Sequence, residues 1–190
     1  MKVIAFNGSP RKKGNTNAAL EIVLEELSKE GIKVELIQMG SADVRGCTAC
    51  GSCGKNKDEK CVIDDEVNGW IQKIKKADGI IIGSPTYFGG LSAQTKAFID
   101  RVGYVSRGNG NLLRRKVGAA VAVNRRAGSL NTFDEINRLF LIGEMLVVGS
   151  TYWNVVSAQK PGDTLNDAEG VATMQNLGKN MAWLLKKLHP

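Results

Sequence analysis

Apolar residues follow two patterns that alternate along the chain. Short runs rich in β-branched and small apolar residues, bounded by Gly, Ser or Pro, fall at residues 2–6, 33–37, 79–82, 117–123 and 145–148. They read as strands. Four of the runs are nearly continuous, as expected for strands covered on both faces of a parallel sheet. Between them, apolar residues recur at helical spacing. One such set is Leu20, Val23, Leu24 and Leu27; a second is Val67, Trp70, Ile71 and Ile74; a third is Phe133, Ile136, Leu139 and Phe140. A last helix from about residue 167 to 188 turns Met174, Leu177, Met181, Leu184 and Leu185 inward. This alternation predicts one α/β domain over residues 1–190, a doubly wound parallel sheet of five strands. Right-handed crossovers leave few topologies, of which the order 2-1-3-4-5 is favoured. The least regular segments are a cysteine-rich loop at 40–62, residues 105–116 and residues 157–166.

A chain of 190 residues can bury a core without disulfides, and 43% hydrophobic with 24% charged residues is the composition of a soluble globular protein. The apolar start, residues 1–6, stops at Asn7-Gly8 and reads as a strand rather than an export signal. The expectation is a cytoplasmic protein with reduced thiols, without a membrane span. The net charge of +7 comes from Lys and Arg spread over the chain, with no long basic run or RNA-binding signature. An anionic cofactor, an anionic hydride donor or plain solubility explains the excess as well as nucleic acid would. The one histidine, His189, is next to the C-terminus. That argues against a Ser/His/Asp or Cys/His nucleophilic centre, so the chemistry must come from a cofactor.

Ligands of an open α/β sheet bind beyond the carboxyl ends of its strands, so the loops there carry the information. After the first strand, residues 7–17 offer free N–H groups at a helix start, the side-chain donors Ser9, Asn15 and Thr16, and the cations Arg11, Lys12 and Lys13. This suits a phosphate, or is an ordinary turn with an N-cap. It matches neither the dinucleotide fingerprint nor the nucleoside-triphosphate loop. After the third strand, Pro85, Thr86, Tyr87 and Phe88 precede Gly89-Gly90; either the aromatic residues and approachable backbone serve a ligand there, or Tyr87 and Phe88 merely cover the core. After the fourth come Asn124, Arg125, Arg126, Ala127 and Gly128, whose arginines suit an anionic partner or, for one of the pair, are solvated surface charge.

Together these loops resemble the NADPH-dependent FMN reductase and flavodoxin-like superfamily. The marks are Gly-Ser-Pro-Arg at 8–11 with Gly-Asn-Thr at 14–16, then Ser84-Pro85-Thr86-Tyr87, then the stretch 145–154 with Gly149-Ser150-Thr151-Tyr152-Trp153. Because of its four cysteines the chain is most similar to the iron–sulfur flavoproteins. The resemblance implies a flavodoxin-like fold and an FMN-dependent oxidoreductase. Ser9, Arg11, Asn15, Thr16 and Asn17 would bind the FMN phosphate. Pro85, Thr86, Tyr87 and Phe88, with Asn124, Arg125, Ala127 and Gly128, would border the isoalloxazine. The family's fourth-strand loop is richer in glycine than this one. The resemblance also implies NAD(P)H or ferredoxin as electron donor and a homodimer or homotetramer, with Tyr152 and Trp153 either at a subunit contact or capping the core.

All four cysteines, Cys47, Cys50, Cys53 and Cys61, lie in the loop after the second strand, with two, two and seven residues between them. Glycines at 46, 51 and 54 allow tight turns that bring thiolates together. Four thiolates at this spacing suit a [4Fe–4S] cluster, which the resemblance also implies. Zinc would also accept four thiolates, and a flavin reductase of this fold could keep the cysteines with no metal. The loop leaves the sheet on the flavin's side, and its long final gap should be mobile without metal. Of the acidic pair that follows, one of Asp64 and Asp65 should cap the next helix. Three readings follow: an FMN protein relaying electrons to a cluster, a flavin or quinone reductase without one, and a zinc-binding interaction module on the same scaffold.

Overall fold

A computed structural model describes residues 1–189. Strands β1 (Lys2–Asn7), β2 (Lys33–Gln38), β3 (Gly79–Pro85), β4 (Val117–Asn124), β5 (Leu146–Val147) and β6 (Val155–Ser157) all pair in parallel. The order is β2-β1-β3-β4-β5, with β6 also on β4. The helices are α1 (Asn15–Lys29), α2 (Ser52–Asn56), α3 (Glu66–Lys76), α4 (Ala93–Gly108), α5 (Ser129–Ile142) and α6 (Ala168–Leu188), with a 3-10 turn at Asp163–Asn166.

Successive strand residues point to opposite faces, and the two faces make two cores. Val3 and Ala5 join Leu20, Val23, Leu27, Leu177, Met181 and Leu185 beneath α1 and α6. Ile4 and Phe6 join Trp70, Ile71, Ile74, Phe98, Val102, Leu139 and Phe140 beneath α3, α4 and α5. Phe6, Trp70 and Phe98 meet as rings, with Phe6 and Phe98 centroids 4.7 Å apart. The edge strands β2 and β5 and the short β6 leave most of their residues part-exposed or exposed.

The order expected from the sequence is observed, with three differences. Helix α4 carries a helical apolar stripe, yet residues 105–108, read as irregular, form its last turn. The fifth strand position is split: β5 pairs with Val117 and Gly118, and β6 pairs with residues 122–124 after a break. Residues 157–166 are also more ordered than expected, holding the end of β6 and the 3-10 turn. Elsewhere the strands outrun the apolar pattern by one to three residues at the carboxyl end. Their last positions are Asn7, Pro85 and Asn124, so the first residues of the candidate site belong to the sheet itself.

Candidate functional site

The turn after β1 is packed tightly. A Cβ on Gly8 would lie 1.9 Å from Thr95 Oγ1, and one on Gly40 would lie 2.3 Å from the Gly8 carbonyl oxygen. Only glycine lets these segments approach so closely. Buried Asn7 accepts the Ser9 N–H at 3.0 Å and donates to Gln38 Oε1 at 2.7 Å, while Gln38 donates to the Ser9 carbonyl at 2.7 Å. Ser9 Oγ accepts the Arg11 N–H at 3.2 Å. Helix α1 then begins after Gly14 with no side-chain cap, whereas α3, α4 and α6 are capped by Asp65, Ser92 and Asp167. The first-turn N–H groups of Asn15, Thr16 and Asn17 are left for an outside acceptor, beside exposed Arg11, Lys12 and Lys13. An anion is stabilised at such a helix start by the N–H groups and the helix dipole together.

Asn15 plays a second part that the sequence did not suggest. Its carboxamide turns away to donate to the Lys160 carbonyl at 2.8 Å and to accept the Gly162 N–H at 3.0 Å. Ser9 and Thr16 are buried, and Asn15 and Asn17 are part-exposed.

The loops after β3 and β4 meet at the same edge. Tyr87 and Gly90 exchange backbone hydrogen bonds of 2.9 and 3.0 Å, closing a two-residue turn at Phe88 and Gly89. Both central residues have positive φ, +49° at Phe88 and +80° at Gly89. That is normal for glycine and strained for an aromatic residue. Phe88 is fully exposed and Tyr87 half-exposed, so neither covers the core. Thr86 Oγ1 accepts a hydrogen bond from Thr132 Oγ1 of α5 at 3.1 Å. A Cβ on Gly128 would lie 3.3 Å from Gly89 Cα and 3.5 Å from Thr86 Cγ2, which places the two loops in contact. Asn124 is buried; it donates to Ser129 Oγ at 2.7 Å and accepts from Ser157 Oγ at 3.1 Å. Its side chain therefore ties β4 to α5 and β6, while Arg125, Arg126, Ala127 and Gly128 stay exposed. Tyr152 and Trp153 are each half-exposed with ring centroids 4.8 Å apart, so they do not cap the core.

The cysteine loop leaves β2 at this edge but folds back along α4. Cys47, Cys50, Cys53 and Cys61 line one cavity of about 120 Å³ together with Arg101, Tyr104 and Val105. Thr95, which touches the turn after β1, lies six and nine residues before Arg101 and Tyr104 on α4. At 1.5 Å per residue the cavity is about 9–14 Å down the helix from the first loop. The thiols share the cavity, yet among the described residues no three His, Cys, Asp or Glu side chains group closely enough to hold a metal ion. Their environments differ. Hydrogen bonds from Ser52 hold the exposed Cys50 thiol below the ordinary thiol value. Burial pushes the Cys53 thiol up, and the facing Cys61 and Cys47 add to this.

The loop is tied down by side chains outside it. Asn109 donates to the Cys53 carbonyl at 3.2 Å and accepts the Glu59 N–H at 3.0 Å. Asn68 accepts the Cys61 N–H at 2.8 Å and donates to the Cys61 carbonyl at 2.9 Å, while Gln72 donates to the Glu59 carbonyl at 3.1 Å. The gap between Cys53 and Cys61, expected to be mobile, is thus anchored to α3 and α4. Buried Arg101 pairs with Asp65 through both guanidinium nitrogens. Asp65 is the residue that caps α3, as expected of one member of the acidic pair. Burial opposes the charge of Arg101, but Asp65 and the Cys61 thiol outweigh it and hold the guanidinium above its ordinary value.

A family model described as NADPH-dependent FMN reductase matches residues 1–160. The chain belongs to the NADPH-dependent FMN reductase family. It is therefore a flavin-dependent oxidoreductase, and the turns after β1, β3 and β4 lie where an open α/β sheet takes its ligand. An iron–sulfur flavoprotein of Methanocaldococcus jannaschii is 42% identical over 193 residues, covering 98% of both chains. Another, of Methanosarcina thermophila, is 33% identical over 98% of this chain and 96% of its own length. In three dimensions a flavodoxin, WrbA-like protein of Agrobacterium tumefaciens superposes with a TM-score of 0.65 at 21% identity, covering 98% and 97% of the two chains, which shows the flavodoxin-like fold.

Several residues of this family member escape sequence reasoning. Asn68, Gln72, Arg101 and Asn109 sit in or beside helices, where polar residues read as solvated surface. Arg101 alone carried a signal: it falls between the apolar positions Phe98, Ile99, Val102 and Val105 of the stripe on α4. The cavity lining itself fits an iron–sulfur cluster in its donor set, since it holds four thiols with no imidazole or carboxylate among them. Among the described residues, no helix is long and apolar enough to cross a membrane.

Proposed function

We propose that this chain holds FMN across the turns after β1, β3 and β4, holds a [4Fe–4S] cluster on Cys47, Cys50, Cys53 and Cys61, and relays electrons between the two. The observation that carries the reading is that all four cysteines line one cavity between their own loop and α4. The names of two relatives that match nearly the whole chain, both iron–sulfur flavoproteins, support it.

The protein's own part is binding and positioning. The uncapped start of α1 and the cluster Arg11, Lys12 and Lys13 receive the phosphate, with Ser9 and Thr16 supplying hydroxyls. The turn at Phe88 and Gly89 and the exposed loop at Arg125, Ala127 and Gly128 frame the ring. Bound flavin exchanges two electrons and a bound cluster one, so a protein holding both can couple a hydride donor such as NAD(P)H to a one-electron carrier such as ferredoxin. The exposed Tyr152, Trp153, Leu141 and Ile142 suit association of chains into a dimer or tetramer.

A second reading is a flavin or quinone reductase that binds no cluster. It is favoured by the absence, among the described residues, of a closely grouped set of three metal-ligating side chains. Iron and acid-labile sulfide measured after anaerobic reconstitution separate the two. About four of each per chain are expected for a cubane on four thiolates, and fewer than about one iron would leave the plain reductase.

A further inference from the structure

The side chain of Arg101 is fully buried in α4, and the residue is 1% exposed. A guanidinium has five N–H donors. Four are used here: two on Asp65, one on the Ile63 carbonyl at 3.0 Å and one on the Arg45 carbonyl at 3.4 Å. The fifth, on Nε, has no partner in the protein. A buried donor left unpaired is a net loss to the fold, and four bonds already suffice to place and neutralise the charge. Arg101 lines the cavity that the four cysteines share.

We infer that Arg101 is a positioning and potential-setting residue of the cysteine site, its free Nε–H donating to a sulfur of the cluster seated there. The inference rests on the reading that the thiols hold a cluster. A cluster on four thiolates is anionic, and one added electron makes it more so. An N–H donor and a fixed positive charge favour that reduced form over the oxidised one and so raise the reduction potential. Asp65 works in the other direction, because its carboxylate cancels part of the charge of Arg101 at the same place.

Two substitutions separate this role from a merely structural one. Arg101→Lys keeps a cation beside Asp65 but has no donor at the Nε position. Asp65→Asn keeps the shape and the N-cap acceptor for the Val67 N–H but removes the opposing charge. The proteins are reconstituted anaerobically, assayed for iron, sulfide and FMN, and titrated with a chemical reductant while the cluster is followed by electron paramagnetic resonance. Arg101→Lys is expected to retain its iron while the reduced-to-oxidised ratio at the wild-type midpoint falls about tenfold, a shift of about 59 mV for one electron. Asp65→Asn is expected to shift the midpoint upward. An unchanged midpoint in iron-replete Arg101→Lys, or shifts of the same sign in both variants, would overturn the inference. If Arg101→Lys fails to fold or to take up iron, Asp65→Asn decides alone, and an unchanged or lowered midpoint overturns it. Wild-type protein that takes up no iron refutes the cluster reading itself, and that result is in hand before either variant is titrated.

Discussion

The side-chain oxygen of Asn15, the first residue of α1, accepts the backbone N–H of Gly162 at 3.0 Å, 147 residues away. The same carboxamide donates to the Lys160 carbonyl, and the Asn15 carbonyl accepts from Thr164 Oγ1 at 3.1 Å. Asn15 therefore joins the turn after β1 to the segment between β6 and α6. Asn15→Ala is expected to destabilise the flavin-free protein by about 1–2 kcal/mol, from net hydrogen-bond values. The melting temperature should fall by about 2–4 °C per kcal/mol for a chain of this size. A flavin-free melting curve identical to wild type would remove Asn15 from this role.

Ser9 and Thr16 are buried at the uncapped start of α1. In the double variant Ser9→Ala, Thr16→Ala, FMN affinity should fall by no more than a few kcal/mol, since each hydrogen bond to a charged group is worth about 1.5–3 kcal/mol. Riboflavin, which has no phosphate, should bind both proteins alike. A fluorescence titration with each flavin tests this, and equal losses for both would move the phosphate elsewhere.

Phe88 combines a φ of +49° with full exposure. A left-handed conformation costs an L-residue about 1–2 kcal/mol, and strain of this kind collects where it serves a site. Phe88→Gly is expected to stabilise the flavin-free protein by up to about 1 kcal/mol while weakening FMN binding. Denaturant unfolding and a flavin titration report the two effects. Tighter or unchanged FMN binding would show that the aromatic ring does not face the flavin.

The metal-free thiols should differ in reactivity. Cys50 is exposed, and hydrogen bonds from Ser52 lower its pKa, so its thiolate is present at lower pH than for an ordinary thiol. Burial raises the pKa of Cys53, so its thiolate forms only at higher pH. Because the thiolate is the nucleophile, alkylation of metal-free protein near pH 8 should label Cys50 before Cys53, as read by peptide mass mapping. Equal labelling would contradict the environments described.

The sheet order was legible because β1, β3 and β4 are buried on both faces and read as unbroken apolar runs. The split fifth strand was not: Val155 and Val156 form too short a run to register, and β6 exists because it pairs with β4 beyond the break. Helix α4 has Phe98, Ile99, Val102 and Val105 on its inner face, but buried Thr95, Arg101 and Ser106 dilute the pattern. Those polar residues are buried because the loops around them supply partners, which no local pattern records. The turns after β1 and β3 could be found from their residue types alone. That Asn15 and Asn124 spend their side chains tying loops together, and that the cysteine loop folds back onto α4, depends on contacts between segments far apart in the chain.

The central claim is that one chain carries both a two-electron and a one-electron centre. Anaerobic titration of the reconstituted protein with a chemical reductant, followed by visible absorbance, counts the electrons each chain accepts. The account predicts about three, two on FMN and one on the cluster. An end point at two, with FMN alone bleached, would contradict it.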